Sequence, residues 1–204
     1  MRAVNRCLIA SLLLLFATAC NATSAVKSGR ERAQSSIARQ AELTPEALGQ
    51  RFLQMIENTS DFKELTPDSI QQAIGQQLTH RAGRASGFYT LKLPSGDWQY
   101  SVTYNFDKSF PERSNVSLKQ IRSRDGVDNR TAPCELDLHA YDAAIKSLGF
   151  KQDPITRNKI GWATEINYIR NNVRVQIVPH YTASPTDGSI LDCVGWLSIH
   201  EHGE

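Results

Sequence analysis

The chain of 204 residues carries 23 Lys or Arg and 21 Asp or Glu side chains, a formal net charge of +2 at pH 7. This balance offers no basic surplus, so nucleic acid is excluded as an expected partner. After an N-terminal region of about 40 residues, roughly 160 remain, a normal size for one domain with its own hydrophobic core.

The N-terminus has the composition of a secretory signal peptide. Arg2 and Arg6 precede the apolar run 8–16, and the small residues 17–19 follow it. That order is typical of export signals, and the apolar run is too short to span a bilayer. We assign residues 1–19 to the signal. Its removal takes two of the 23 basic side chains, and the remaining 21 equal the 21 acidic ones.

The sequence Ala17-Thr18-Ala19-Cys20 resembles a bacterial lipobox, in which the Cys becomes the lipidated first residue. Ala17 stands where lipoboxes usually carry Leu, and Ala17-x-Ala19 also suits an ordinary signal peptidase. The resemblance implies that Cys20 is the membrane anchor. Asn21, not being Asp, is what resemblance to outer-membrane lipoproteins favours. We therefore predict a lipid-anchored protein of the bacterial outer membrane that faces the periplasm.

Four cysteines are present, and Cys7 lies inside the signal, which leaves Cys20, Cys134 and Cys193. In an oxidising compartment an odd thiol needs an explanation. A Cys134–Cys193 disulfide would leave Cys20 for lipidation, and its closed loop of about 60 residues would stabilise the fold by roughly 4 kcal/mol. The alternatives are an intermolecular disulfide at Cys20 or two free thiols in the domain.

Residues 20–42 contain no aromatic side chain and no apolar periodicity, which predicts a flexible tether.

Two helices follow, and each begins with the sequence Leu-Thr-Pro, at Leu43 and at Leu65. In both, Thr takes the N-cap, Pro the first helical position and an acidic residue comes next. Apolar residues at helical spacing give each helix one buried face. These residues are Leu48, Phe52, Met55 and Ile56 in the first helix, and Ile70, Ile74 and Leu78 in the second.

Strand patterns come next. Residues 88–93 and 98–106 flank the turn sequence Pro-Ser-Gly-Asp and predict a hairpin, in whose second strand aromatic and polar residues alternate. Residues 115–122 predict a third strand. A polar loop then leads to Cys134.

The last third repeats this scheme. Asp137 caps a predicted helix that ends at Gly149. An Asn171-Asn172 turn joins two strands in a second hairpin, and residues 192–201 form the final strand. Pro179 predicts that the second strand of this hairpin ends there or lies at an edge.

The order αα-βββ-α-βββ predicts an α+β fold, with antiparallel sheet and helices packed on one face. We assign residues 43–204 to a single globular domain, which could divide into two sub-units, 43–125 and 134–204.

No nucleophile elbow, phosphate loop, dinucleotide fingerprint or zinc-protease helix occurs in the chain. His200 and His202 would share a strand face and could converge on a metal with His180. They lie close to the C-terminus, where chains fray, and we predict no metal site. The expectation is a binding protein and not an enzyme, with no catalytic residues and no cofactor.

In its lipobox and order of elements the chain resembles small outer-membrane-barrel assembly lipoproteins of the SmpA/OmlA type and the β-lactamase inhibitor protein fold. It also resembles the tethered immunity lipoproteins that protect bacteria from secreted effectors. This resemblance implies a protein partner and a membrane contact through the lipid anchor. We therefore predict an immunity protein that fills an effector's active cleft with its sheet face or a loop. The alternative is an envelope-assembly or structural lipoprotein.

Exposed aromatic and Arg side chains on two loops are the candidate partner contacts, because such residues dominate interface energies. The loops are 107–113 and 122–130. The candidate residues are Phe110, Arg113, Arg122, Arg124 and Arg130.

Overall fold

The computed structural model of the protein describes residues 43–94, 96–123, 132–184 and 186–203. The predicted signal peptide (1–19), the lipidation site Cys20 and the tether (20–42) lie outside the described residues. The described residues belong to one compact unit. None of the helices within it has the length and apolar character needed to cross a bilayer.

Helices and strands follow the predicted order, with three short strands added, so the α+β prediction is confirmed. The helices are α1 (Pro45–Asn58), α2 (Pro67–Ile74) and α3 (Leu138–Ser147). The strands are β1 (Thr79–His80), β2 (Ser86–Lys92), β3 (Trp98–Asn105), β4 (Asn115–Arg122), β5 (Lys151–Gln152), β6 (Thr156–Arg157), β7 (Ala163–Arg170), β8 (Val173–Ala183) and β9 (Ile190–Glu201).

All three helix starts are capped as the sequence predicts. The hydroxyl of Thr44 accepts a hydrogen bond from the backbone N–H of Ala47, and Thr66 caps α2 in the same way. The carboxylate of Asp137 accepts from Ala140 N–H at 2.7 Å. Each cap satisfies a backbone donor that has no partner within its helix.

The second helix is shorter than predicted. It ends at Ile74 because Gly75 takes a left-handed conformation with φ 66°. The guanidinium of Arg51 in α1 donates to the terminal carbonyl of Ile74. Leu78, which we expected on the helix face, is therefore not helical, although its side chain is buried.

Every strand pair in the sheet is antiparallel, in the order β1-β2-β3-β4-β9-β8-β7-β5, and β6 also pairs with β7. Two three-stranded meanders, β2-β3-β4 and β7-β8-β9, meet through their last strands, with Leu118 opposite Leu197. The two halves of the domain therefore share one sheet.

Strand β8 does not end at Pro179, so that part of the prediction is wrong. The register with β9 shifts between Val178 and Pro179, where Gly195 is the extra residue of a bulge. The pairing of β8 with β7 stops at Ile177, so Pro179 lies at a local edge although β8 is interior in the strand order. A bulge and a local edge are the places where a strand tolerates a missing N–H.

The helices pack on one face of the sheet, as predicted. Cross-strand partners point to the same side, so one apolar row crosses five strands of this face. The row consists of Val102, Leu118, Leu197, Ile177 and Ile166. These residues form a single core cluster with buried helix residues such as Phe52, Ile70 and Ile145. Each fully buried aliphatic side chain stabilises the fold by about 1.5–3 kcal/mol.

One arginine fastens the helices to the sheet. Arg170, the last residue of β7, donates hydrogen bonds to the carbonyls of Leu148, Ile56 and Thr59 at 2.8–3.1 Å. Its guanidinium also lies 4.3 Å from the centre of the Phe150 ring. Carbonyls at helix ends have no intrahelical donor, so Arg170 supplies one to the ends of α1 and α3.

Cys134 and Cys193 form a disulfide, with their Cα atoms 5.4 Å apart, so the predicted pairing is confirmed. Beyond the last β4–β9 pair, the segment 132–137 interacts with both strands. The amide of Gln120 donates to Pro133 O at 2.7 Å, and Val194 N donates to Leu136 O at 2.8 Å. The disulfide thus holds the entry to α3 against β9.

Candidate functional site

The face of the sheet opposite the helices is polar across six strands, and we call it the polar face. Its residues alternate along β2, β3, β4, β9, β8 and β7 with those of the core. Cross-strand pairing arranges them in three rows. The rows are Ser86-Asn105-Asn115-His200-Arg174-Ile169, Phe88-Thr103-Ser117-Ser198-Gln176-Asn167 and Thr90-Ser101-Lys119-Trp196-Val178. By the same alternation Lys92, Glu165 and His180 belong to this face.

Short hydroxyl side chains occupy the centre of the polar face. The hydroxyls of Thr103 and Ser117 lie 2.8 Å apart and hydrogen bond to each other. The hydroxyl of Ser198 lies 2.8 Å from His200 Nε2. Ser117 and Ser198 are buried. The larger side chains around them therefore form a rim above a low polar floor.

Two histidines of the polar face are neutral at pH 7. Burial and, to a smaller extent, the positive charge of Arg174 lower the pKa of His200 to about 4, and Glu165 opposes the shift. Burial likewise lowers the pKa of His180. Their imidazoles therefore add hydrogen-bonding atoms to the face without adding charge.

Buried polar atoms without a protein partner are concentrated on this face. Within the described part of the chain, five side-chain atoms on the polar face are buried and make no hydrogen bond. They are Ser86 Oγ, Asn167 Oδ1, Arg174 Nε, His180 Nε2 and Trp196 Nε1. An unsatisfied buried polar atom costs about 1–3 kcal/mol, so such a concentration needs an explanation.

The polar face carries more positive than negative charge. Lys92, Lys119 and Arg174 are its cations, Lys151 of β5 extends the first row beyond Ile169 as a fourth, and Glu165 is its acid. The ammonium of Lys119 lies 4.6 Å from the centre of the Trp196 ring. The carboxylate of Glu165 already accepts a hydrogen bond from the Asn167 amide at 2.6 Å.

Two of the predicted contact residues lie together beside the polar face. Phe110 and Arg113 are exposed in the loop between β3 and β4, and the guanidinium of Arg113 stacks 4.3 Å from the Phe110 ring centre. Asn105 and Asn115, which flank this loop, belong to the first row of the face.

The other predicted contact residues are not seen beside the polar face. Arg122 is exposed at the far end of β4, roughly 24 Å along the strand from Asn115. Arg124 and Arg130 lie outside the described residues.

A cleft of about 220 Å³ beside α3 is another candidate. Its ionisable side chains already have partners within the protein. His139 lies 3.5 Å from Asp192, Lys146 lies 2.8 Å from Asp142, and Arg157 donates to Gly161 O at 2.7 Å. The cleft therefore presents less unsatisfied polarity than the polar face does.

His200 and His202, which could share a metal by their spacing, have different hydrogen-bond partners. His200 is hydrogen bonded to Ser198, whereas the backbone N–H of His202 donates to Asn172 O. No group of three His, Cys, Asp or Glu side chains suited to hold a metal ion occurs among the described residues.

Sequence reasoning named a sheet face as a possible binding surface but did not identify the residues of the polar face, although the polar alternation in one strand could be read. The alternation in β3 separates aromatic residues from Gln99, Ser101 and Thr103. The half-buried His200 and the unpaired Arg174 could not be recognised, because strand pairing brings them together from β9 and β8.

No protein-family model matches this chain, and neither a curated protein nor a solved structure shows a match to it.

Proposed function

We propose that this protein is an exported envelope lipoprotein that binds another protein on its polar face and thereby neutralises a secreted antibacterial effector. The observation that carries the proposal is the group of five buried polar atoms on this face that have no hydrogen-bond partner among the described residues. These atoms are covered by neighbouring side chains in the free protein, so a bound partner would have to displace those side chains to satisfy the atoms and recover the free energy that they cost.

The size of the polar face favours a protein over a small molecule. Six strands at about 4.8 Å spacing and three rows of side chains cover roughly 24 by 14 Å. The Phe110–Arg113 loop extends this area at one end. Small-molecule sites are enclosed pockets, whereas this surface is open. A standard protein interface covers about 800 Å² on each partner, so the partner would also cover the rim and the adjoining loops.

The immunity role is supported by the sequence at the N-terminus. A lipid anchor at Cys20 and the tether 20–42 would hold the domain on the periplasmic side of the outer membrane, where an incoming effector arrives. Neutralisation would occur by occlusion, with the polar face and its rim covering the effector's active cleft.

Site-specific photo-crosslinking in the producing cells tests the proposal. A photoreactive phenylalanine at Gln176, on the polar face, should capture one discrete protein. The matched control places the same residue at Gln54, which is exposed on α1 on the other side of the sheet. Capture from position 54 and none from position 176 would exclude the polar face.

The captured protein then decides between the two envelope roles. An immunity function requires that the purified partner be toxic or hydrolytic and that one equivalent of this protein abolish its activity. An inactive partner, together with loss of envelope integrity on deletion of the gene, would favour an assembly role.

A further inference from the structure

We infer that the partner inserts an Asp or Glu carboxylate against Arg174, making this guanidinium the charged anchor of the polar face. The inference rests on the proposed function and specifies the chemistry of its partner. Arg174 lies in β8 between His200 on one side and Ile169 on the other.

The state of Arg174 is the first argument. Its Nε is buried without a partner, and its side chain makes no hydrogen bond or ion pair with any described residue. Arg170, at the end of the neighbouring strand, donates to three backbone carbonyls within 3.1 Å. Guanidinium groups in partly buried positions are normally paired, so the unpaired Arg174 is the exception.

The surroundings of Arg174 are the second argument. The neighbouring His200 is neutral because burial and Arg174 itself lower its pKa, so it places no competing charge there. The amide of Gln176, two residues along the same face, makes no hydrogen bond with the described residues and can donate one. A carboxylate could then accept two bonds from the guanidinium and one from this amide.

The charge of the face is the third argument. Lys92, Lys119 and Lys151 add positive charge and outnumber the one acid of the face, Glu165. An approaching carboxylate therefore meets an attractive field, which speeds association and sets the orientation of the partner. Planar guanidinium groups match carboxylates in a two-bond geometry that Lys cannot reproduce.

A peptide probe tests the inference on the full-length mature protein. The probes are an acetylated, amidated hexaglutamate and a hexaglutamine of the same length, with inorganic phosphate as a competitor, measured by calorimetry at low salt. The wild type should bind hexaglutamate, and Arg174→Gln should weaken that binding at least tenfold. Arg174→Lys should recover only part of the affinity.

Lys146→Gln is the matched control, because it removes one exposed positive charge from α3, on the opposite side of the sheet. It should change the affinity less than twofold. Equal losses in Arg174→Gln and Lys146→Gln would overturn the inference, as would a wild type that binds hexaglutamate no better than hexaglutamine. Stronger binding of phosphate than of hexaglutamate would also overturn it, because it would assign Arg174 to a phosphate ligand.

The crosslinking experiment separates this inference from the proposed function. Capture of a partner from position 176 that Arg174→Gln leaves unchanged would refute the carboxylate while keeping the polar face as the binding surface. Failure to capture from position 176 would refute the proposed function itself, whatever the peptide measurements give.

Discussion

Arg170 and Arg174 lie four residues apart in one hairpin, on opposite faces of the sheet, and have opposite environments. Arg170 supplies hydrogen bonds to the carbonyls at the ends of α1 and α3, whereas Arg174 makes none with the described residues. The first arginine therefore serves the fold. The second raises the free energy of the unbound protein and is explained by binding.

Replacing each arginine by Met separates these roles. Arg170→Met should lower the free energy of unfolding by about 2–3 kcal/mol, because it removes the donor to several partly buried carbonyls. Arg174→Met should leave stability unchanged or raise it, because it removes an unpaired charge and keeps the apolar stem. Urea unfolding of both variants measures this. Equal destabilisation by the two would contradict the assignment.

His200 should make stability depend on pH. Its folded-state pKa of about 4 lies below the ordinary 6.5. Between pH 6.5 and pH 4 the unfolded chain therefore binds a proton that the folded chain does not bind. Stability is therefore lost as pH falls through this window, and from pH 7 to 5 this one group should cost about 1–2 kcal/mol.

The groups that face His200 are Ser198 on its own strand, Asn115 on β4, Arg174 on β8 and Glu165 on β7. A His200→Asn variant keeps a polar partner for Ser198 but cannot titrate. It should lose less stability than the wild type between pH 7 and 5 in parallel urea titrations. Identical losses in both proteins would show that His200 protonates freely in the folded state.

At the scale of elements, Gly49 allows α1 to approach the segment that leads into α3. A methyl group at this position would collide with the Tyr141 hydroxyl and with Leu136. Ala usually stabilises a helix relative to Gly by up to about 1 kcal/mol, but here Gly49→Ala should destabilise by about 1–3 kcal/mol because of overpacking.

The Tyr141 hydroxyl is buried and has no hydrogen-bond partner among the described residues. Tyr141→Phe alone should therefore be nearly neutral, and it should recover most of the stability lost in Gly49→Ala. A double-mutant cycle by thermal unfolding measures this coupling. Additive effects in the cycle would mean that the hydroxyl is not the obstacle.

The disulfide should be a large contributor to stability. Replacing Cys134 and Cys193 together by Ala opens a loop between residues 59 apart in sequence. The chain-entropy estimate gives a loss of roughly 4 kcal/mol. Urea unfolding of the double variant, compared with the reduced wild type, checks it. The double variant and the reduced wild type should have equal free energies of unfolding, and both values should be well below that of the oxidised protein.

Helix starts and the hairpin turn were predictable, because residues close in sequence determine them. The caps Thr44, Thr66 and Asp137 and the Asn171-Asn172 turn act within a few residues, and the structure has them where the sequence predicts. The end of α2 was misplaced because the apolar period continues to Leu78 past Gly75. Strands β1, β5 and β6 have only two residues each, too few for any periodicity to show.

At the scale of the whole molecule, the two halves of the domain are joined by β4 and β9. This pairing connects residues about 80 positions apart, such as Val116 and Ile199, and no local pattern predicts it. The polar face is a consequence of the same pairing, because it aligns polar residues from both meanders. Among the predicted contacts that the structure describes, Phe110 and Arg113 lie beside it and Arg122 does not.

Binding on the polar face also predicts the effect of a charge placed there. Gln176→Glu should pair with Arg174 within the protein and repel an acidic partner. The fold should become more stable while binding weakens. Gln54→Glu adds the same charge on α1, away from the face, and should do neither.

The dissociation constant of the crosslinked partner for these two variants tests the account most directly. We expect Gln176→Glu to weaken binding at least tenfold and Gln54→Glu to change it less than twofold. Equal affinities of the two variants for the partner would contradict binding at the polar face.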